Sequence, residues 1–178
     1  KYGLAGPRYT SYPTALQFHE GFDAEAYRRH VINSNDDLIP RPLSLYVHIP
    51  FCKELCYYCA CKKKVTRNKQ LAEVYLQHLD KEIEMQGEMF DRDRQVIQLH
   101  FGGGTPTYYN DIQLRHIIEQ LSSSFLLSRS DSREFSIEID PRTVDEDRIA
   151  LLGDIGFNRV SMGIQDFDPD VQKAVNRV

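Results

Sequence analysis

From Leu43 onward the chain alternates short β-branched or aromatic runs with amphipathic helical stretches, four times in succession. Leu43–Ile49 (LSLYVHI) reads as a strand, and residues 69–89 carry Leu76, Leu79 and Ile83 at helical spacing. A second strand is predicted over 96–101 (VIQLHF), ending at Gly102. The next helix opens at Asn110, with Gln113 placed to complete a capping box and Leu114, Ile117, Ile118, Leu121 and Phe125 as its stripe. Residues 135–139 (FSIEI) are the third strand. The helix after it is expected to be capped by Thr143, with Glu146 three residues on, and to stop at Gly156. Residues 159–164 (RVSMGI) are the fourth strand, and Asp168-Pro169 starts a fourth helix with Pro at its first position. Such alternation predicts an α/β fold, a parallel sheet with outer helices, as a barrel or a doubly wound sheet. Four units do not close a barrel, and the chain reaches Val178 without a C-terminal helix cap. The expectation is therefore the N-terminal part of a longer protein. Residues 1–42, rich in Pro, Gly, Tyr and Arg, are expected to form an irregular arm with one helical candidate at 24–32, and residues 43–178 the incomplete barrel.

Composition narrows the class of function. At 178 residues, 41% hydrophobic and 27% charged, the chain has the makeup of an ordinary globular protein. A net charge of −4 gives no sign of nucleic-acid binding, and Lys62-Lys63-Lys64 reads as a solvated loop. No apolar run approaches the ~20 residues of a membrane span. The chain begins at Lys1, which leaves open whether a targeting segment preceded it.

All four cysteines lie between positions 52 and 61. A disulfide framework spreads its cysteines along a chain, so this cluster points to a reducing compartment, expected to be the cytoplasm, and to a metal. Cys52, Cys56 and Cys59 form a C-x3-C-x2-C loop directly after the first strand. Three thiolates leave one iron of a four-iron cluster open to an outside ligand. The competing readings are a closed site, structural zinc or an electron-transfer cluster, with Cys61 as fourth ligand or His48 or His100 in its place. Gly102-Gly103-Gly104-Thr105-Pro106 ends a strand as either a tight turn or a place of close ligand approach. Alternation puts Ser136, Glu138 and Asp140 on one face of their strand, opposite Ile137 and Ile139. Gln165 is expected at the end of the fourth strand, where barrel sites collect.

The cysteine loop resembles the signature of the radical S-adenosylmethionine superfamily. That resemblance implies a partial (β/α)6 barrel and a [4Fe-4S] cluster on Cys52, Cys56 and Cys59. It also implies that S-adenosylmethionine chelates the open iron and is cleaved reductively to a 5′-deoxyadenosyl radical. Three segments narrow the match: GPRYTSYPT at 6–14, YVHIPFC at 46–52, and Cys59-Ala60-Cys61. Together they are similar to the oxygen-independent coproporphyrinogen III oxidase family. The family reaction converts two propionates of coproporphyrinogen III to vinyl groups, with two S-adenosylmethionine molecules held. By resemblance, Tyr46 and Glu138 meet the cluster-bound molecule, while Tyr58 and Arg177 meet the second. Gly103, Gly104 and Thr105 lie against both, and Gln165 faces the site. His100-Phe101 precede the glycines where relatives often carry an indole, a change expected to be conservative. Cys61 is expected beside the cluster rather than on it. Arg8 is a candidate propionate partner, its guanidinium matched to a carboxylate, against a plain surface arginine. The partners expected are coproporphyrinogen III and an electron donor such as a flavodoxin or ferredoxin, with the protein a monomer. The alternatives are a haem chaperone relative, which generally lacks the cysteine at 61 and the arm, and a non-catalytic zinc-binding module.

Overall fold

The computed structural model describes residues 15–178, so Arg8 and the 6–14 segment lie outside the described residues. The main sheet is parallel throughout. Its strands β1 (Leu43–Ile49), β4 (Gln95–Gly103), β6 (Glu134–Ile139) and β7 (Arg159–Met162) lie side by side in chain order. A doubly wound sheet reverses its strand order at a switch point. This one advances in a single direction, as a barrel wall does. The short strand β5 (Leu126–Leu127) pairs with the start of β4. A separate two-stranded pair, β2 (Phe51–Cys52) and β3 (Lys64–Val65), closes the base of the cysteine loop.

Period-two alternation splits each central strand into two faces. In β6, Phe135, Ile137 and Ile139 are buried, whereas Ser136 and Glu138 are half-buried. The buried set forms one core with Leu76 and Ile83 of α2 (Lys69–Gly87), Leu114, Ile117 and Leu121 of α3 (Asp111–Ser124), and Leu152 of α4 (Glu146–Asp154). Full burial of such a side chain contributes about 1.5–3 kcal/mol. Tyr109 crosses this layer, its hydroxyl donating to the Ala72 carbonyl at 2.8 Å, and burial pushes its phenol pKa well up.

Local chemistry sets the helix ends. Asn110 and Gln113 make the expected capping box at the start of α3. The end of α4 is a complete Schellman motif: Phe157 N–H donates to Leu152 O and Gly156 N–H to Gly153 O, with Gly156 at φ +113°. Its start differs from expectation. The cap is Asp145, whose carboxylate accepts from Arg148 N–H, while Thr143 ends the preceding 3-10 turn and bonds Thr107 and the Asp140 carbonyl. An aspartate directly before the first turn out-competes a threonine two residues further away.

Other boundaries shift as well. α1 spans Ala24–Asn35, capped by Asp23, three residues beyond the expected end. It is tied down by the buried Arg94, which donates to Ser34, Asn35 and the Arg41 carbonyl. β4 runs on through Gly103 rather than ending at Phe101. β7 stops at Met162, so Gln165 lies in the loop beyond it at φ 72°. The helix α5 (Pro169–Ala174) is capped by Asp168 as expected, but it is short, and Arg177 falls in the turn after it.

Candidate active site

The C-terminal ends of the parallel strands open on a cavity of about 490 Å³, a size suited to a small molecule. Cys52, Cys56, Cys59 and Cys61 all line it, although only the first three make up the C-x3-C-x2-C spacing. Tyr58, Gly103, Gly104, Thr105, Glu138, Gln165 and Arg177 line it too. Tyr46 does not, but it stands close to two residues that do, Glu138 and Cys61.

The thiols differ in surroundings. Cys52 is buried at the end of β2, its sulfur 3.6 Å from the Thr105 hydroxyl. Burial pushes its pKa up, with the Thr105 hydrogen bond opposing. Burial also acts to raise Cys59, but hydrogen bonds from the Cys61 backbone N–H and the Lys63 ammonium outweigh it, and the net shift is downward. Cys61 is exposed; what burial it has raises its pKa, and the Cys59 thiol and the Glu138 carboxylate add to that. Cys56 receives a hydrogen bond from Arg177 Nη1 at 3.4 Å.

Two cations thus sit against the loop, where thiolate charge would gather. Lys63 Nζ donates to the Cys59 carbonyl at 2.8 Å, so it turns inward rather than out to solvent as expected. Arg177 is fixed from several sides: Nη1 also reaches Asp140 Oδ2 at 2.8 Å and Nη2 the Gly163 carbonyl at 2.8 Å. The same turn grips the loop backbone. Tyr57 N–H donates to Val175 O at 3.1 Å, and Asn176 Nδ2 donates to Leu55 O at 2.7 Å.

Asp140 anchors a group that sequence reasoning did not single out. It is buried and accepts from both Arg177 and Arg142, the latter through Nε and Nη2. Burial alone would raise its pKa, but the Arg142 hydrogen bonds and the two guanidinium charges bring it below the ordinary carboxylate value. The D-P-R run at 140–142 was the available signal, since an acceptor two residues before an arginine folds back on it in a turn.

The glycines have an internal reason as well as a place on the cavity. A Cβ at Gly102 would sit 3.0 Å from both the His100 ring and the Tyr46 hydroxyl. At Gly103, which holds φ +115°, it would meet the His48 ring at 2.7 Å. At Gly104 it would meet the Phe51 carbonyl oxygen at 2.7 Å. The positive φ at Gly103 and the close backbone approach at Gly104 therefore already call for glycine, and Gly102 is a tight fit. Gly163 likewise leaves room for the Gln165 side chain, 2.7 Å from where its Cβ would stand, beside Arg177.

On the concave face Tyr46 is positioned by histidines. His48 Nε2 lies 3.0 Å from the Lys62 carbonyl, which only accepts, so Nε2 carries a proton. In the neutral ring Nδ1 then accepts from the Tyr46 hydroxyl at 3.1 Å. Burial raises the Tyr46 pKa, with Glu138 and Cys61 adding to it.

The donor set suits an iron–sulfur cluster: three thiols on one closed loop, with a lysine and an arginine beside two of them. Among the described residues no three His, Cys, Asp or Glu side chains close around a single ion. Thiolates that each bind a different iron surround a core instead of meeting at a point.

A one-way parallel barrel wall with a thiol loop at the C-terminal ends of its strands defines a class, and comparison with known proteins agrees. The family model for the Radical SAM superfamily matches residues 46–178. The oxygen-independent coproporphyrinogen III oxidase of Pseudomonas aeruginosa is 51% identical over 181 residues, covering 100% of this chain and 38% of that protein. The protein of the same name from Mannheimia haemolytica is 46% identical over 141 residues, 79% of this chain and 92% of that one. The solved Escherichia coli coproporphyrinogen III oxidase, described as a radical SAM enzyme, matches with a TM-score of 0.85 at 48% identity, over 96% of this chain and 38% of that chain. The chain belongs to the Radical SAM superfamily and, within it, to the oxygen-independent coproporphyrinogen III oxidase family. It spans 38% of the length of the Pseudomonas relative.

Proposed function

We propose that this chain is the cluster-bearing part of an enzyme that oxidatively decarboxylates coproporphyrinogen III to protoporphyrinogen IX without oxygen. The observation that carries the reading is the convergence of Cys52, Cys56 and Cys59 on one cavity with Glu138, Gln165 and Arg177. When bound, the [4Fe-4S] cluster and S-adenosylmethionine supply one electron and a radical that takes a hydrogen atom from the substrate. Each propionate then gives a vinyl group by losing that hydrogen atom, one CO2 and one electron.

The chain's own residues bind, orient and shield. Cys52, Cys56 and Cys59 hold the cluster, and Lys63 and Arg177 offset its thiolate charge. Glu138 and Tyr46 meet the S-adenosylmethionine on the open iron, while Tyr58 and Arg177 meet a second one. Gly103, Gly104 and Thr105 lie against both, and Gln165 faces the site. Cys61, exposed beside Cys59, stays off the cluster as a neighbouring thiol. Arg8 pairs with a substrate propionate.

Residues 1–42 act as an arm and residues 43–178 as the barrel segment. The partners are the porphyrinogen and a one-electron donor of flavodoxin or ferredoxin type, and the protein works as a cytoplasmic monomer. The thiol cluster favours a reducing compartment, and no described helix is long and apolar enough to cross a membrane. The test is a strictly anaerobic assay of the protein at its natural length with coproporphyrinogen III, S-adenosylmethionine and a one-electron reductant. Protoporphyrinogen IX and CO2 are expected, and cluster assembly without turnover would contradict the reading.

A further inference from the structure

His100 is used by nothing proposed so far, yet it stands at the centre of the concave face. Its neighbour in register across the sheet is Ser136. The ring Nδ1 lies 2.6 Å from the Ser136 hydroxyl oxygen, and Nε2 lies 3.3 Å from Glu138 Oε1. Glu138 Oε2 accepts the Gly103 N–H at 3.2 Å. Both carboxylate oxygens are therefore gripped from β4, which fixes the plane of the group as well as its place. Each oxygen keeps a further lone-pair direction for a ligand.

The proton arrangement follows from what each atom can do. An ionised carboxylate only accepts, so Nε2 must carry the hydrogen. In the neutral ring Nδ1 then accepts from the Ser136 hydroxyl at 2.6 Å, much nearer than the Leu99 carbonyl at 3.4 Å, the other acceptor within that hydroxyl's reach. The ring is held flat by Tyr46, stacked on it at 5.6 Å between centroids and 23° between planes. Gly102 leaves the arrangement room, because a Cβ there would press on the His100 ring and the Tyr46 hydroxyl at 3.0 Å.

We propose that His100 is a positioning residue: with Ser136 behind it and Tyr46 over it, it aims the Glu138 carboxylate at a hydrogen-bond donor of S-adenosylmethionine. This rests on the reading that Glu138 meets the cluster-bound molecule. The geometry leaves His100 itself facing β6, so it acts through Glu138.

The test uses the reconstituted holo-protein at its natural length, with S-adenosylmethionine affinity read from the change it causes in the electron paramagnetic resonance signal of the reduced cluster. Glu138→Gln serves as the reference and should weaken binding. His100→Leu, which removes one charge-assisted hydrogen bond, should weaken it about tenfold with iron content unchanged. His100→Gln, which keeps an N–H donor at similar reach, should recover most of that loss. The double variant His100→Leu/Glu138→Gln should bind no more weakly than Glu138→Gln alone. Wild-type affinity in His100→Leu, or additive losses in the double variant, overturns the positioning role. Wild-type affinity in Glu138→Gln overturns the underlying Glu138 reading, and the role of His100 with it. Should His100→Leu lose its iron, Ser136→Ala decides: weaker binding with iron retained supports the role, and unchanged binding overturns it.

Discussion

The two faces of the sheet are built from the same strands and obey opposite rules. On the helix side, Val96, Leu99, Phe101 and Ile137 are wholly buried in the apolar core. On the concave side, one residue away in each strand, His100, Ser136 and Glu138 form a half-exposed polar web. The first face gains stability from removing carbon from water and tolerates little change of volume. The second gains orientation: each polar atom is aimed by a partner, and the net stabilisation is small at this exposure. Substitutions on the two faces should therefore separate stability from ligand binding.

The largest effect is expected at the cavity, in the cysteine loop. Serine at Cys52, Cys56 or Cys59 should abolish cluster assembly, while Cys61→Ser should retain it. Iron and sulfide analysis of the four anaerobically purified variants reads this directly, and equal loss in all four would put Cys61 on the cluster. Next come neighbouring residues of β6. Ile137→Ala should cost about 2–5 kcal/mol in urea unfolding through the void it leaves. Glu138→Gln should stay within about 1 kcal/mol of wild type while weakening S-adenosylmethionine binding. A stability loss at Glu138 as large as that at Ile137 would erase the distinction between the faces.

Asp140 lies where the two rules meet, buried but ionised. Its carboxyl is held below the ordinary value of about 3.9. A group depressed in the folded state contributes stability above its unfolded pKa, and that contribution is lost as pH falls through the folded pKa. Asp140→Asn should lower stability at neutral pH by on the order of 2 kcal/mol and flatten the acid limb below about pH 4. Unfolding curves across pH 2–7 measure both. A purely backbone effect is expected at Gly156, where a Cβ meets nothing within 4 Å but φ is +113°. Gly156→Ala should cost only the backbone term, about 1–2 kcal/mol.

Features governed by neighbours in sequence were readable from sequence. The faces of β6 followed from alternation, and the ends of α3 and α4 from Asn110, Gln113 and Gly156, because pleat and cap geometry act within a few residues. The three-thiol loop was legible for the same reason. For the start of α4 two local signals compete, Thr143 and Asp145, and the aspartate adjoining the first turn is the cap. What long-range packing decides was hidden. Lys63 is a local exception: its ammonium turns onto the Cys59 carbonyl four residues back, in an irregular loop with no repeating geometry to read. Nothing near Asp140 says that Arg177, 37 residues on, will share it. The glycine run could be read as a tight turn or as room for a ligand; that His48, Tyr46 and the Phe51 backbone also pack close to it was not readable from sequence. Tyr46, placed by resemblance at the cofactor, stacks on His100, which in turn bonds Glu138 of the cavity wall, a link between strands that local pattern does not show.

The central claim is that three of the four cysteines hold a cluster with one iron open. Its most direct test is the reduced, reconstituted protein measured by electron paramagnetic resonance with and without S-adenosylmethionine, alongside metal analysis. The account predicts about four irons per chain and a cluster signal that changes shape when S-adenosylmethionine is added. One zinc per chain, or a cluster signal indifferent to S-adenosylmethionine, would contradict it.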